Sequence, residues 1–231
     1  MTAIKIDKML PDPDRLSSLR LRVAGIDSAS LNPVVWEGQR QSYQGGVLEI
    51  RRGRVPSKTS YVLPNNDYAD EVKPFLEPEF NIESDDEEII GQVGRIIGDD
   101  KNPISVSRKL LDWVYRSLEK RPVISIPSAV EVLRTRIGDC NEHATLLTAL
   151  LRAAGIPARI NIGLVYSRQK FFYHAWTEAY LGEWISMDAT LNQMPVDATH
   201  VKFVEGNLEK QGEIAGLIGA LTLDVLDYHY D

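Results

Sequence analysis

At 231 residues, 43% hydrophobic and 26% charged, the chain is long enough to bury a large core and too apolar to be disordered. A net charge of −7 and a pI near 5.2 exclude a general nucleic-acid binder, because neutralising phosphates needs a clustered Lys/Arg surface. The single cysteine excludes an internal disulfide and a thiolate zinc site, so packing or reactivity must explain it.

Residues 1–14 lack the apolar core of a signal peptide, and no run approaches the roughly 18 apolar residues of a membrane span. As written, the chain is expected to stay in the cytoplasm; if it is a fragment of a longer precursor, export fits a start that reads as entry into a β region. Leu19, Leu21 and Val23 alternate with Arg20, Arg22 and Ala24, and a second extended run, Val47 to Ile50, follows the Gly45-Gly46 turn signal. Arg51-Arg52-Gly53-Arg54, the densest basic run, reads as a solvated strand end. A third extended run, Ser60 to Leu63, stops at Pro64. Residues 1–80 are therefore expected to form a small β-rich accessory segment, and residues 81–231 the main domain.

Pro74, Pro78 and a short acidic stretch mark the change to helical periodicity. Ser84 and Glu87 have capping-box spacing, and Ile89, Ile90, Val93, Ile96 and Ile97 follow on one face before Gly98. A second helix is predicted from about Ser105 to Glu119, and a short third from Ala129 to Thr135 behind the cap Ser128. The fourth begins near Cys140 and carries Leu146, Leu147, Leu150, Leu151 and Ala154 before Gly155 and Pro157 stop it. The period then switches to two. Ala158 to Tyr166, Phe171 to Leu181 and Trp184 to Thr190 read as antiparallel strands, with later strands at Val201 to Val204 and Leu221 to Tyr228 and a helical turn near 213–219.

Gly138-Asp139-Cys140-Asn141-Glu142-His143 puts the lone thiol at a predicted helix start. The thiolate is the nucleophile, and a free thiol with a pKa of about 8.5 needs a nearby cation or dipole to form it. The helix N-terminus supplies a dipole, and its free N–H groups can cradle an oxyanion, a contribution of roughly 3–4 kcal/mol per donor. His174 in His174-Ala175-Trp176 is the candidate base, and Asp188 in Asp188-Ala189-Thr190 the candidate orienting carboxylate. If Leu181-Gly182-Glu183 form a three-residue hairpin loop, Tyr180 pairs with Trp184 and Asp188 falls opposite Trp176. That places Asp188 diagonal to His174, about 7–8 Å away Cα to Cα; a two-residue loop would turn it to the other face.

Each residue also has a structural explanation: a buried thiol, a strand histidine, a capping aspartate. His143 fits a structural or rim role, Asp139 and Glu142 favour the helix start while opposing a thiolate, and Trp113 and Tyr115 fit packing. Trp176 and Trp184 fit packing around the hairpin, with Trp176 the candidate substrate-binding wall. The spacing of His143, His174 and His200 is not that of a metal site, so neither metal nor cofactor is expected.

Arg136-Ile137-Gly138-Asp139-Cys140, Leu151 to Arg159, His174-Ala175-Trp176 and Asp188-Ala189-Thr190 together resemble the transglutaminase-like superfamily of papain-like enzymes. The resemblance covers roughly residues 84–204 and departs at Ala189, where many relatives have proline. It implies an α+β fold, a helix bundle packed on an antiparallel sheet. It also implies nucleophile Cys140, base His174, orienting Asp188 and an acyl-enzyme intermediate. The expected activity is hydrolysis of a peptide or amide bond in a protein or peptide substrate, ahead of transamidation, since bacterial-type relatives resemble proteases. The alternatives are a crosslinking transglutaminase, an amidase acting on a glycan-linked asparagine or cell-wall peptide, and a non-catalytic peptide-binding module on the same fold.

Overall fold

The computed structural model describes residues 3–25, 39–123, 128–206 and 220–230. Among these the strands are β1 (Ala3–Lys5), β2 (Leu16–Ala24), β3 (Gln41–Gln44), β4 (Val47–Arg51), β5 (Glu119–Lys120), β6 (Ile137–Gly138), β7 (Ala158–Ser167), β8 (Lys170–Tyr180), β9 (Trp184–Met187), β10 (Val201–Gly206) and β11 (Thr222–Tyr230). The α-helices are α1 (Glu87–Ile97), α2 (Pro103–Ser117), α3 (Ala129–Thr135) and α4 (Cys140–Ala153). The chain divides into two compact units, one of residues 1–53, 161–175 and 196–231, the other of residues 54–160 and 176–195. β7 and β8 contribute residues to both.

In the first unit, the alternation at Leu19 and Leu21 builds an antiparallel sheet of order β11-β2-β4-β3. Leu19 faces Ile50 and Leu21 faces Leu48, all four fully buried, while Arg20 and Arg22 project to the other face. Gly45 and Gly46 join β3 to β4 with φ of 57° and 80°, the double positive φ that a tight two-residue hairpin turn demands. The same unit holds the first half of β8, paired antiparallel with β1 through Ile4 and Phe171, and β10, which neighbours β7.

In the second unit, α4 is the centre. Leu146, Leu147, Leu150 and Leu151 are fully buried, and Thr145, Thr148 and Ala149 are buried with them. A helix apolar or small on nearly every side is stable only inside a core, and α1, α2 and α3 all pack on it. Each buried leucine contributes on the order of 2 kcal/mol. α4 also lies on β8, where the Thr177 hydroxyl sits 3.3 Å from both the Thr148 hydroxyl and the Ala144 carbonyl. The α+β class expected from the sequence is what the chain adopts.

Four local expectations need correction or comment. Ser60 to Leu63 is not a strand: this stretch is tied by single bonds, Tyr61 Oη to the Tyr180 carbonyl at 2.6 Å and Leu63 N–H to the Lys101 carbonyl at 2.9 Å, and joins no ladder. The cap of α1 is Asp86, whose carboxylate accepts from Glu88 N–H, and Ser84 is buried two residues upstream. α2 starts earlier than expected, because Asn102 caps it and Pro103 occupies its first turn. The helical turn expected near 213–219 lies outside the described residues.

Candidate active site

The start of α4 is built from its own sequence. Asp139 is the N-cap, its carboxylate 3.1 Å from Asn141 N–H, and Glu142 folds back so that its Oε2 accepts from Asp139 N–H at 2.9 Å, closing a capping box. Gly138 makes the fold-back possible, since a Cβ there would lie 2.2 Å from Glu142 Cβ. Gly138 is itself fixed by the parallel pairing of β6 with β5, through Arg121 N–H to the Gly138 carbonyl at 3.1 Å. Cys140 is thus the first residue of α4, 6% exposed, on the turn whose N–H groups and dipole favour negative charge.

Of the two carboxylates that seemed to oppose a thiolate here, Glu142 is the one whose charge the fold suppresses. Burial, reinforced by its contact with Asp139, pushes the Glu142 carboxyl up to about 7, so near neutrality much of it is uncharged. His143 is fully buried, and burial holds its imidazole below the usual histidine range despite the opposing influence of Asp139 and Asp188. Its Nδ1 lies 2.6 Å from the Asp139 carbonyl oxygen, which can only accept, so the proton sits on Nδ1. His143 is a structural member of the helix start, as expected.

The hairpin register decides where Asp188 goes. Tyr180 pairs with Trp184 and Thr177 with Met187, so the three-residue loop is the one present, and Asp188 follows directly on the last pair of the ladder. Asp188 is fully buried just beyond β9. Its backbone forms a two-bond bridge with Gln193, at 2.9 and 3.0 Å, and its Oδ1 accepts from Thr190 N–H at 2.7 Å and Leu191 N–H at 3.2 Å. These bonds fix both the position and the tilt of the carboxylate. Trp176 is 1% exposed and packs as a core residue, whereas Trp184 stacks with Phe75 at 5.1 Å and under the Arg159 guanidinium at 4.2 Å. Trp113 and Tyr115 are covered by cations, Arg136 at 4.4 Å and Lys120 at 3.9 Å.

Cys140, Trp176 and Asp188 all belong to the second unit, and His174 belongs to the first. His174 lies on β8, 5% exposed, beyond the three residues paired with β1. Beside it in that unit is a residue that the sequence marked only by its lack of a metal-site spacing. The ring of His200 meets the ring of His174 edge to face, centroids 5.8 Å apart, and His200 Nδ1 lies 3.2 Å from Asp197 Oδ1. The Asp197-Ala198-Thr199-His200 spacing, an aspartate able to bind the backbone two residues on, was the available signal for that turn.

Residues 91–189 match the family model of the transglutaminase-like superfamily, a span that contains Cys140, His174 and Asp188 and ends one residue beyond the last. Over that span the chain is similar to this superfamily. Its fold is shared with a crystal structure from Cytophaga hutchinsonii described as that of a candidate cysteine protease, with a TM-score of 0.58 at 20% identity over 94% of this chain and 86% of that one. Weaker likenesses are the periplasmic domain of TgpA from Pseudomonas aeruginosa (TM-score 0.46, 16% identity, 78% of this chain and 89% of that one) and red sea bream transglutaminase (0.37, 16%, 45% and 26%). No curated protein matches the chain.

Within the matched span, the arginines of the Leu151 to Arg159 stretch are scaffold. Arg152 is buried and binds the Ala158 carbonyl at 2.9 Å, the Glu77 carbonyl at 2.6 Å and Glu79 Oε1 at 2.7 Å. Arg159 pairs with Glu178 Oε2 at 2.9 Å, and Glu178 Oε1 accepts from the Ser186 hydroxyl at 2.9 Å, locking β9 to β8 one strand step from Met187. The motif thus fixes the hairpin that carries Asp188.

Proposed function

We propose that the protein is a cysteine-dependent acyl-transfer enzyme that hydrolyses a peptide or amide bond in a protein or peptide substrate. In this reading the Cys140 thiolate attacks the carbonyl carbon, and first-turn N–H groups of α4 face the oxyanion. The C–N bond then breaks, and the departing amine takes the proton held by His174. Water, deprotonated by His174, cleaves the thioester and returns the thiolate and the acid. Asp188 orients the imidazole and stabilises its charged form.

The observation that carries the reading is Cys140 at the first position of a capped, buried helix, inside a family match that also spans His174 and Asp188. The burial of Cys140 keeps a second reading in play, a peptide-binding module on the same fold with an inert thiol.

The deciding experiment is the pH dependence of iodoacetamide alkylation, native against His174→Ala. The protein has one thiol, so the signal belongs to Cys140. Fast labelling well below pH 8, lost in the variant, supports the enzyme. An ordinary thiol profile in both proteins, or no labelling before denaturation, supports the module. Peptide turnover with an added amine then reports whether water or amine resolves the thioester.

A further inference from the structure

A β-strand fixes the Cα and Cβ of His174 and leaves its imidazole two torsions to be set by whatever surrounds it. We propose that His200 is the residue that sets them within this unit, a positioning residue for His174, and that the N-terminal β segment holds His200 in place through Arg40 and Gln41. The inference rests on the reading of His174 as the base.

The argument follows the bonds outward. His200 is fully buried and offers its ring to His174 at 5.8 Å and 62°, the edge-to-face geometry that aromatic rings favour. A ring so used must itself be anchored. The Asp197 Oδ1 accepts a hydrogen bond from His200 Nδ1–H, and the same oxygen accepts from Thr199 N–H and Thr199 Oγ1, both at 2.7 Å. A carboxylate bonded to one nitrogen of a histidine fixes both its tautomer and its rotation.

The turn is clamped at both ends by neighbours in β3 and just before it. The Arg40 guanidinium donates to the Asp197 carbonyl at 2.8 Å and, through Nε, to the Arg51 carbonyl on β4 at 3.1 Å. The Gln41 amide, itself buried, makes a two-way pair with the backbone of Lys202, donating to its carbonyl at 3.0 Å and accepting from its N–H at 2.6 Å. Ala198 N–H adds a bond to the Leu16 carbonyl on β2 at 3.2 Å. Residues 197–202 therefore hang from β2, β3 and β4, and in this way the sheet holds a histidine against the proposed base.

The test is the alkylation profile of Cys140 in His200→Ala, His200→Phe and the double variant His174→Ala/His200→Ala, with thermal unfolding as the fold control. His200→Ala should slow labelling at pH 6.5 by about tenfold, the size of a one-unit change in a coupled pKa, and leave the rate at pH 9.5 unchanged. His200→Phe keeps a ring and loses the tether to Asp197, and should fall between His200→Ala and native. If His200 acts through His174, the double variant should match His174→Ala alone, because removing a support has no effect once the supported group is gone. His200→Phe serves where His200→Ala does not fold, and Thr199→Val, which removes one bond to Asp197 at constant size, serves in the same direction where neither does.

A folded His200 variant with the native profile, measured beside a His174→Ala protein that has lost it, would overturn this inference and leave the proposed function standing. A His174→Ala protein with the native profile would remove both.

Discussion

The start of α4 and the turn around His200 solve the same problem, holding a polar group still inside a core, by opposite means. At α4 the capping bonds are local: Asp139, Asn141, Glu142 and His143 bind within four residues of one another. At His200 the local contacts to Asp197 and Thr199 are supplemented by bonds that close very long loops, Arg40 to Asp197 across 157 residues and Gln41 to Lys202 across 161. Local caps form with the helix and fail one at a time, whereas long-range clamps exist only once the whole unit has folded. The difference makes α4 the part of the proposed site that small substitutions should damage selectively.

The strongest test concerns chemistry. Cys140→Ala should abolish peptide turnover while moving Tm by no more than a few degrees, since the change is small and the cap remains; turnover by mass spectrometry of a peptide mixture checks this, and any retained rate removes the mechanism. Asp188→Asn should come next, with turnover down by on the order of 10²–10⁴. Its Tm should stay near native, because the amide oxygen can still accept from Thr190 and Leu191.

A matched pair then sets local restraint against long-range restraint. Gly138→Ala drives a methyl into Glu142 and should cost about 1–3 kcal/mol of stability, with slower Cys140 labelling. Gln41→Leu removes both bonds to Lys202 and should cost about 2 kcal/mol, with a smaller effect on labelling. Equal effects on labelling would erase the distinction between the two regions.

The last test is one of pH. Folded Glu142 titrates at about 7, above the roughly 4.3 of an unfolded glutamate, so the folded state holds the extra proton between those values. Its stabilising contribution is complete below about pH 4.3 and is lost as pH rises through 7. The stability of the native protein relative to Glu142→Gln should therefore fall by on the order of 2 kcal/mol between pH 4.5 and 8. Parallel Tm curves for the two proteins would mean that Glu142 is charged when folded.

Legibility followed the same division. The bounds of α3, the stop at Gly155 and the fourth helix could be read because caps announce themselves within a few positions, whereas the sequence left the hairpin loop open between two and three residues and the ladder decided it. Ser84 reads as a cap because Ser84, Asp85 and Asp86 all qualify chemically, and only the path of the chain selects Asp86. Ser60 to Leu63 has strand composition, but composition does not say whether a partner strand will be there. His200 was read only as lacking a metal-site spacing, because its adjacency to His174 is encoded in no periodicity. The family resemblance named Cys140, His174 and Asp188, and it was silent on Arg40, Gln41 and Asp197.

The two-residue pair β5 and β6 has a mechanical consequence. β5 leaves α2 directly after its cap Leu118, and β6 ends two residues before Cys140. Bonds from Glu119 N–H to the Arg136 carbonyl and from Arg121 N–H to the Gly138 carbonyl, 2.8 and 3.1 Å long, rivet the two segments together. The C-terminal end of α2 is therefore bonded directly to the segment that enters α4, so a shift of either one strains the backbone two residues before Cys140.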